Sequence, residues 1–341
     1  MSDYQNFKAY KGINGKAVIS TSTHKELDYD QVLIRITHSG LCYSDVHFLN
    51  GTDDKNNVLG HEPVGVIEKV GSQVNNVKVG DRVGYGCIHL SCQNCDNCRL
   101  GNDNLCDDKI VHGLHDHHQG SFGTYVILNA GFVHVIPDNL PSELAAPLNC
   151  AGATVFGPFL KYNIKPIHRV AVLGIGGLGH LALQVARAWG CHVTALTSSE
   201  SKIEEAKSFG AHEVLVTKRE GQSFVPQKFE QKFDFILGCG SAQSDWFNYV
   251  LSIRPRGTLI MMSVDFHNSL QLPYAPIVMN DISVSGSIVS NRYEHSKMLE
   301  FCARHDIKPQ VEVLDLSEEN LNIAFDRIKK NDVRYRFVLK H

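Results

Sequence analysis

Arg169-Val170-Ala171-Val172-Leu173-Gly174-Ile175-Gly176-Gly177-Leu178-Gly179 is the stretch on which the fold of this chain turns. Its first five residues read as a short buried strand. A G-x-G-x-x-G follows, and Leu178 to Trp189 is apolar at helical spacing. Strand, glycine turn and helix in that order open a dinucleotide-binding unit, because the glycines let the backbone approach a pyrophosphate at a helix N-terminus. Gly174, Gly176, Gly177, Leu178 and Gly179 are therefore candidate cofactor contacts. Working outward, His192-Val193-Thr194-Ala195-Leu196, Glu213-Val214-Leu215-Val216, Phe233-Asp234-Phe235-Ile236-Leu237 and Thr258-Leu259-Ile260-Met261-Met262 continue the strands. Strands alternating with helices predict an α/β domain, a doubly wound parallel sheet of Rossmann type, over residues 149–289.

The flanks have another texture. Up to residue 148, short runs such as Gln31-Val32-Leu33-Ile34-Arg35-Ile36 and Gly65-Val66-Ile67-Glu68-Lys69-Val70 alternate with Gly-rich turns, which predicts a β-rich domain. From Ser290 the chain reads as a helix near Ser296–Arg304, another near Glu318–Lys329, and a closing strand Tyr335-Arg336-Phe337-Val338-Leu339. No internal repeat or low-complexity segment interrupts the chain.

Composition narrows the function. The 341 residues suffice for two domains with real cores, and a hydrophobic content of 43% is ordinary for a globular protein. A formal net charge of −3 argues against a nucleic-acid partner held through phosphates. No apolar run is long enough to span a bilayer, and Met1-Ser2-Asp3-Tyr4-Gln5-Asn6-Phe7-Lys8 lacks the apolar region of a signal peptide. A cytoplasmic location is expected. The ten cysteines then favour metal or thiol chemistry over disulfides.

Six of those cysteines fall into metal-binding phrases. Cys92-x-x-Cys95-x-x-Cys98 followed by Cys106 places four thiolates in one lobe of about residues 87–107, a set that closes a tetrahedron and predicts a structural zinc. The iron–sulfur alternative fits less well, because the ferredoxin run places its fourth cysteine sooner and follows it with proline. Here seven residues separate Cys98 from Cys106, and Asp107 follows. The acidic neighbours Asp96, Asp103, Asp107 and Asp108 argue against a nucleic-acid finger. The other phrases are Gly40-Leu41-Cys42-Tyr43-Ser44-Asp45-Val46-His47, Gly60-His61-Glu62 and Cys150-Ala151-Gly152-Ala153-Thr154. Cys87, Cys191, Cys239 and Cys302 remain and read as small core hydrophobes.

These phrases, with Gly80-Asp81-Arg82-Val83-Gly84 and the closing Asp332-Val333-Arg334-Tyr335-Arg336-Phe337-Val338, resemble the medium-chain zinc alcohol dehydrogenases, and within them the cinnamyl alcohol dehydrogenase branch. The resemblance runs from about Asp30 to the C-terminus. It implies a GroES-like catalytic domain to which the tail returns, a Rossmann domain, and an active site in the cleft between them. Cys42, His61 and Cys150 match the Cys₂His set of alcohol dehydrogenases, a catalytic zinc site with its fourth position open. Two zinc ions per chain are thus implied, one catalytic and one structural. Asp45 and Glu62 are expected to orient the ligands and tune the metal, and Glu62 is a possible fourth ligand at rest. The resemblance implies that Ser44 and His47 pass the substrate proton out to solvent, a role suited to imidazole.

NAD enzymes usually end the second strand in an acid that binds the ribose 2′-hydroxyl. That position is Thr197, followed by Ser198, Ser199, Glu200, Ser201 and Lys202. The hydroxyls and Lys202 suit a 2′-phosphate, and the resembling branch uses a similar segment for NADP(H). Glu200 opposes a phosphate, and the run also reads as a helix N-cap. The resemblance further places Thr154, Ser263, Val264 and Ser287 on the nicotinamide side. The loop Phe48–Gly60 is shorter than in plant relatives and lacks their aromatic residues, which argues against a cinnamyl-type substrate. His112–His118 is a histidine-rich segment suited to rim the substrate pocket, and a third metal site there is less favoured. The expectation is an NADP(H)-preferring zinc enzyme acting on a small primary alcohol or aldehyde, in the direction of aldehyde reduction, as a homodimer. The alternatives are an NAD-dependent polyol or secondary-alcohol dehydrogenase and a catalytically inactive zinc-bearing interaction protein.

Overall fold

A computed structural model describes residues 4–50, 56–217, 232–240, 246–264 and 269–341. The chain divides into two compact units. One comprises residues 1–153, 290–304 and 308–341, the other residues 154–289 and 305–307.

The first unit is built on mixed but mainly antiparallel strands. Its main sheet has the order Val311–Asp315, Arg336–Lys340, Gln31–Leu41, Glu62–Val70, Arg82–Gly84, His134–Val135, and Tyr125–Asn129 pairs with Gln31–Leu41. Val32, Ile34 and Ile36 point alternately into one core with Ile67, Val83, Tyr85, Val126 and Leu128. The C-terminal strand pairs antiparallel with the strand ahead of Cys42, Phe337 opposite Leu41 and Val338 opposite Gly40. The tail thus completes the sheet that carries the first ligand phrase. A hairpin that the sequence reading passed over, Tyr4–Ile13 with Lys16–Lys25, turns on Asn14-Gly15. Both turn residues have positive φ, 50° and 79°, which suits the two-residue turn of a twisted hairpin.

The second unit is a six-stranded parallel sheet among the described residues, in the order Glu213–Val216, His192–Thr197, Arg169–Leu173, Phe233–Gly238, Ile253–Met261, Ser283–Gly286. This is the doubly wound order. Strand order reverses beside Arg169–Leu173, so the glycine turn after Leu173 sits at the switch point where such sheets bind ligands.

Most elements begin within a residue or two of the sequence expectation. Two differences have physical causes. The helix expected near Ser296 starts at Arg292, because Asn291 Oδ1 accepts from Glu294 N at 2.8 Å while Glu294 Oε2 accepts from Asn291 N at 3.3 Å. That reciprocal pair is a capping box written with Asn. The strand expected from Thr258 starts at Ile253, since a register shift between Phe233 and Phe235 lets it pair earlier. Cys191 and Cys302 are buried, whereas Cys87 and Cys239 are only half-buried, so the core reading holds for two of the four.

Candidate metal and cofactor sites

Asp45 organises the first ligand phrases. It lies in the single turn Ser44–His47 that follows Gln31–Leu41, and it is fully buried. Its Oδ2 accepts from Cys42 N at 3.0 Å, and its Oδ1 accepts from Gly60 N at 3.1 Å. The same Oδ1 is 3.0 Å from His61 Nδ1. With the Nδ1 proton on the carboxylate, His61 offers its Nε2 lone pair as a ligand. Gly60 makes this turn possible. Its φ is +90°, and a Cβ there would press on Ser121 Oγ and the backbone of Phe122. Glu62 opens the next strand, buried, with Oε1 paired to Arg336 from the C-terminal strand and Oε2 without a hydrogen-bond partner among the described residues. Cys150 sits in a π-helical turn, Leu148–Gly152. Such turns concentrate at functional sites.

Fold and turns bring one donor atom each from Cys42, His61, Glu62 and Cys150 within 4.8 Å of one another. Two sulfurs, a nitrogen and a carboxylate oxygen with an orphaned lone pair are a donor set that fits zinc. The electrostatics agree. Hydrogen bonding from Cys150 holds the Cys42 thiol well below the usual thiol range, against its burial and with help from His61. The same contact, with burial, pushes Cys150 well up. Burial would lower His61, but the Asp45 carboxylate outweighs it and holds the imidazole well above its usual range. Burial also pushes Glu62 to about 7 against the pull of Arg336.

The four-cysteine lobe is also assembled. One sulfur each from Cys92, Cys95, Cys98 and Cys106 lies within 4.8 Å of the others, with Cys92 and Cys98 3.9 Å apart. Cys95 N donates to Cys92 Sγ at 3.3 Å and Cys92 N to Cys106 Sγ at 3.5 Å, bonds that favour thiolates. Ser44 and His47 are exposed on the turn after Cys42. Ser44 Oγ lies 3.6 Å from Cys42 Sγ, and the His47 ring meets the Tyr43 ring edge-on.

In the second unit, Gly174 has φ +87°, and a Cβ on Gly179 would fall 1.9 Å from Gly174 O. The first glycine turns the chain and the last lets helix Gly179–Trp189 pack on the strand. Among the described residues a Cβ on Gly176 meets nothing within 4 Å, which leaves an open cradle of the kind a pyrophosphate fills. His180 Nδ1 is 3.0 Å from Gly176 O and braces the loop. Lys202 Nζ donates to Ile175 O at 2.6 Å, so the ammonium lies at the glycine turn. Thr197 is buried and its Oγ1 accepts from Ser199 N at 3.2 Å, while Ser198 is exposed and Ser199 Oγ is 2.8 Å from Ser201 Oγ. Ser263 Oγ donates to Gly240 O at 2.6 Å, Val264 is exposed, and Thr154 and Ser287 are buried.

In the histidine-rich segment the four imidazoles divide, and His115 and His118 are exposed. His112 and His117 are buried, His112 Nδ1 lies 2.9 Å from Gln119 O, and His117 bonds Asn57. His112 adjoins His61, with a donor atom within 4.8 Å of Asp45 and His61. Residues 51–55 of the Phe48–Gly60 loop lie outside the described residues. Sequence reading passed over Arg336 as a partner of Glu62, and over Asn149 and His295. Asn149 sits beside a ligand, but nothing local marks it, and the others come from the far end of the chain.

The alcohol dehydrogenase GroES-like domain model matches residues 28–138, and the zinc-binding dehydrogenase model matches residues 177–304. An NADP-dependent alcohol dehydrogenase C of Mycolicibacterium smegmatis is 35% identical over 94% of this chain and 93% of its own length. An aldehyde reductase of Synechocystis is 37% identical over 98% of both chains. The cinnamyl alcohol dehydrogenase structure from Sorghum bicolor superposes with a TM-score of 0.91 at 31% identity, covering 98% of each chain. The chain belongs to the zinc-dependent medium-chain alcohol dehydrogenases, with relatives in the cinnamyl alcohol dehydrogenase branch.

Proposed function

We propose that this protein is an NADP(H)-preferring alcohol dehydrogenase that acts on primary alcohols and aldehydes, chiefly as an aldehyde reductase. The carrying observation is the donor set of Cys42, His61, Glu62 and Cys150, with Asp45 fixing the imidazole. When bound, zinc supplies a Lewis acid for a carbonyl or hydroxyl oxygen and the nicotinamide supplies or takes the hydride. The chain's residues do the rest. Cys42, His61 and Cys150 hold the metal, and Asp45 keeps His61 in the tautomer that presents Nε2. Ser44 exchanges the substrate's proton, and His47 passes it to water. Gly174, Gly176, Gly177, Leu178 and Gly179 present backbone to the pyrophosphate, which Lys202 at the turn attracts. Ser198, Ser199 and Lys202 favour a 2′-phosphate, with Thr197 holding their turn. Thr154, Ser263, Val264 and Ser287 are proposed for the nicotinamide side. The names of the Mycolicibacterium and Synechocystis relatives support both the cofactor and the direction.

A homodimer is part of this reading. Ser283–Gly286 ends the parallel sheet, and the neighbouring helix Tyr274–Met279 carries Tyr274 and Met279, each 83% exposed. An open edge strand beside apolar side chains suits a second copy. Among the described residues no helix is long and apolar enough to cross a membrane, which supports a cytoplasmic location. The test is the oxidation of NADPH and of NADH with a panel of aldehydes. A higher kcat/KM with NADPH is expected. A higher value with NADH, or turnover only with polyols, would defeat the proposal.

A further inference from the structure

Cys150 is the metal ligand with the least obvious support, because it lies on a π-helical turn and not on a strand. Its neighbour Asn149 is 1% exposed and fully engaged. Asn149 Nδ2 donates to Pro63 O at 2.8 Å and to Ala145 O at 3.2 Å. Pro63 is two residues from ligand His61 and adjoins Glu62. One amide therefore ties the turn of Cys150 to the strand of the other ligands. With both donors used, Asn149 Oδ1 must accept, and it is 3.0 Å from His295 Nε2. His295 comes from helix Arg292–Arg304, in the C-terminal return, and is buried.

The arrangement continues outward. The His295 ring stacks on His134 with centroids 4.0 Å apart and planes 15° from parallel. His134 Nδ1 is 2.9 Å from Ser296 Oγ, whose own proton goes to Arg292 O. Beneath the amide, a Cβ on Gly84 would come within 2.5 Å of both Asn149 side-chain heteroatoms, and one on Gly86 would meet Asn149 O at 3.1 Å. The strand at Arg82–Gly84 thus leaves a slot that the Asn149 amide fills. Buried polar groups in such a network have few alternative partners, so loss of one leaves others unsatisfied and the turn free to move.

We propose that Asn149 and His295 are positioning residues that set Cys150 against His61, so that the catalytic zinc site is closed by a helix from the far end of the chain. The inference rests on the zinc reading of Cys42, His61 and Cys150. It adds that this site depends on a polar bracket outside its ligands.

The test reads metal retention and geometry instead of turnover. Holoprotein is mixed with a chromophoric chelator, and the release of each zinc is timed. The four-cysteine zinc serves as an internal control for folding. Asn149→Leu, close in volume but apolar, should weaken the catalytic zinc by about ten- to a hundredfold and leave the second zinc unchanged. His295→Leu should do the same more mildly. His295→Gln keeps a donor toward Asn149 and should restore retention. In Co²⁺-loaded protein, the visible absorption of the catalytic site should shift in both leucine variants and return to the parent position in His295→Gln. A general loss of stability would not move those bands. Parent-like release and parent-like bands in both leucine variants would overturn the inference alone. A parent protein holding one zinc would overturn the zinc reading and the inference with it. Should Asn149→Leu fail to fold, the His295 pair decides.

Discussion

Ser44 and His47 are exposed side chains on one helical turn, three residues apart, immediately after ligand Cys42. In the proposed relay, a proton leaving a substrate near Cys42 passes to Ser44 first and His47 next. Loss of a general base typically costs on the order of a hundredfold or more. His47→Gln should therefore slow alcohol oxidation most near neutral pH, with the deficit narrowing as hydroxide takes over. Ser44→Ala should be worse at every pH. The measurement is kcat against pH, and a His47→Gln profile that overlays the parent's would remove His47 from the relay. A second residue-scale prediction concerns the buried Glu62–Arg336 pair. Arg336→Met removes one partner and leaves a buried carboxylate uncompensated, which typically costs about 3–5 kcal/mol. Denaturant unfolding should show that loss, and a parent-like midpoint would mean that the pair contributes little.

At the scale of elements, the two metal phrases should behave differently. Cys98 is one of four thiols gathered around a single closed site, so Cys98→Ser should lower the unfolding midpoint and one zinc per chain should disappear. Cys42→Ser should abolish turnover and leave the midpoint nearly unchanged. Elemental analysis and thermal unfolding of both variants check this, and iron in the parent would overturn the lobe's assignment. Helix Arg292–Arg304 sets an acid limit. Burial, reinforced by the Arg292 guanidinium, lowers His134 to about 4, and burial with His134 holds His295 well below its usual range. In the unfolded chain both return to about 6.5. Between these values the unfolded state binds more protons, so stability is complete above about 6.5 and falls as pH drops toward about 4. His134→Gln should flatten that fall in urea titrations. An equally steep loss in the variant would assign the acid sensitivity to other groups.

For the whole molecule, the prediction is assembly. The sheet edge at Ser283–Gly286 and the exposed apolar residues of Tyr274–Met279 should be covered in a homodimer. Met279→Glu should place a charge in that contact and shift sedimentation toward monomer, with zinc content unchanged. A parent that sediments as a monomer would rule the contact out.

The sequence alone determined the parallel sheet, the glycine turn, both cysteine sets and the Gly60-His61-Glu62 phrase, because each is written in local spacing or in a short motif. Periodicity and ligand spacing act within a few residues, so they survive without knowledge of the fold. What only the tertiary structure decided lies between distant segments. Arg336 reaches Glu62 across 274 residues, and His295 reaches Asn149 across 146. The buried Thr197 hydroxyl also accepts from Ser199 N, a contact the strand's periodicity does not show. His112, expected from sequence only as part of a histidine-rich segment, is buried with a donor atom within 4.8 Å of Asp45 and His61. A side chain's partner in a core depends on which strands become neighbours, and that choice is made by the summed burial of the whole sheet, which no local window contains.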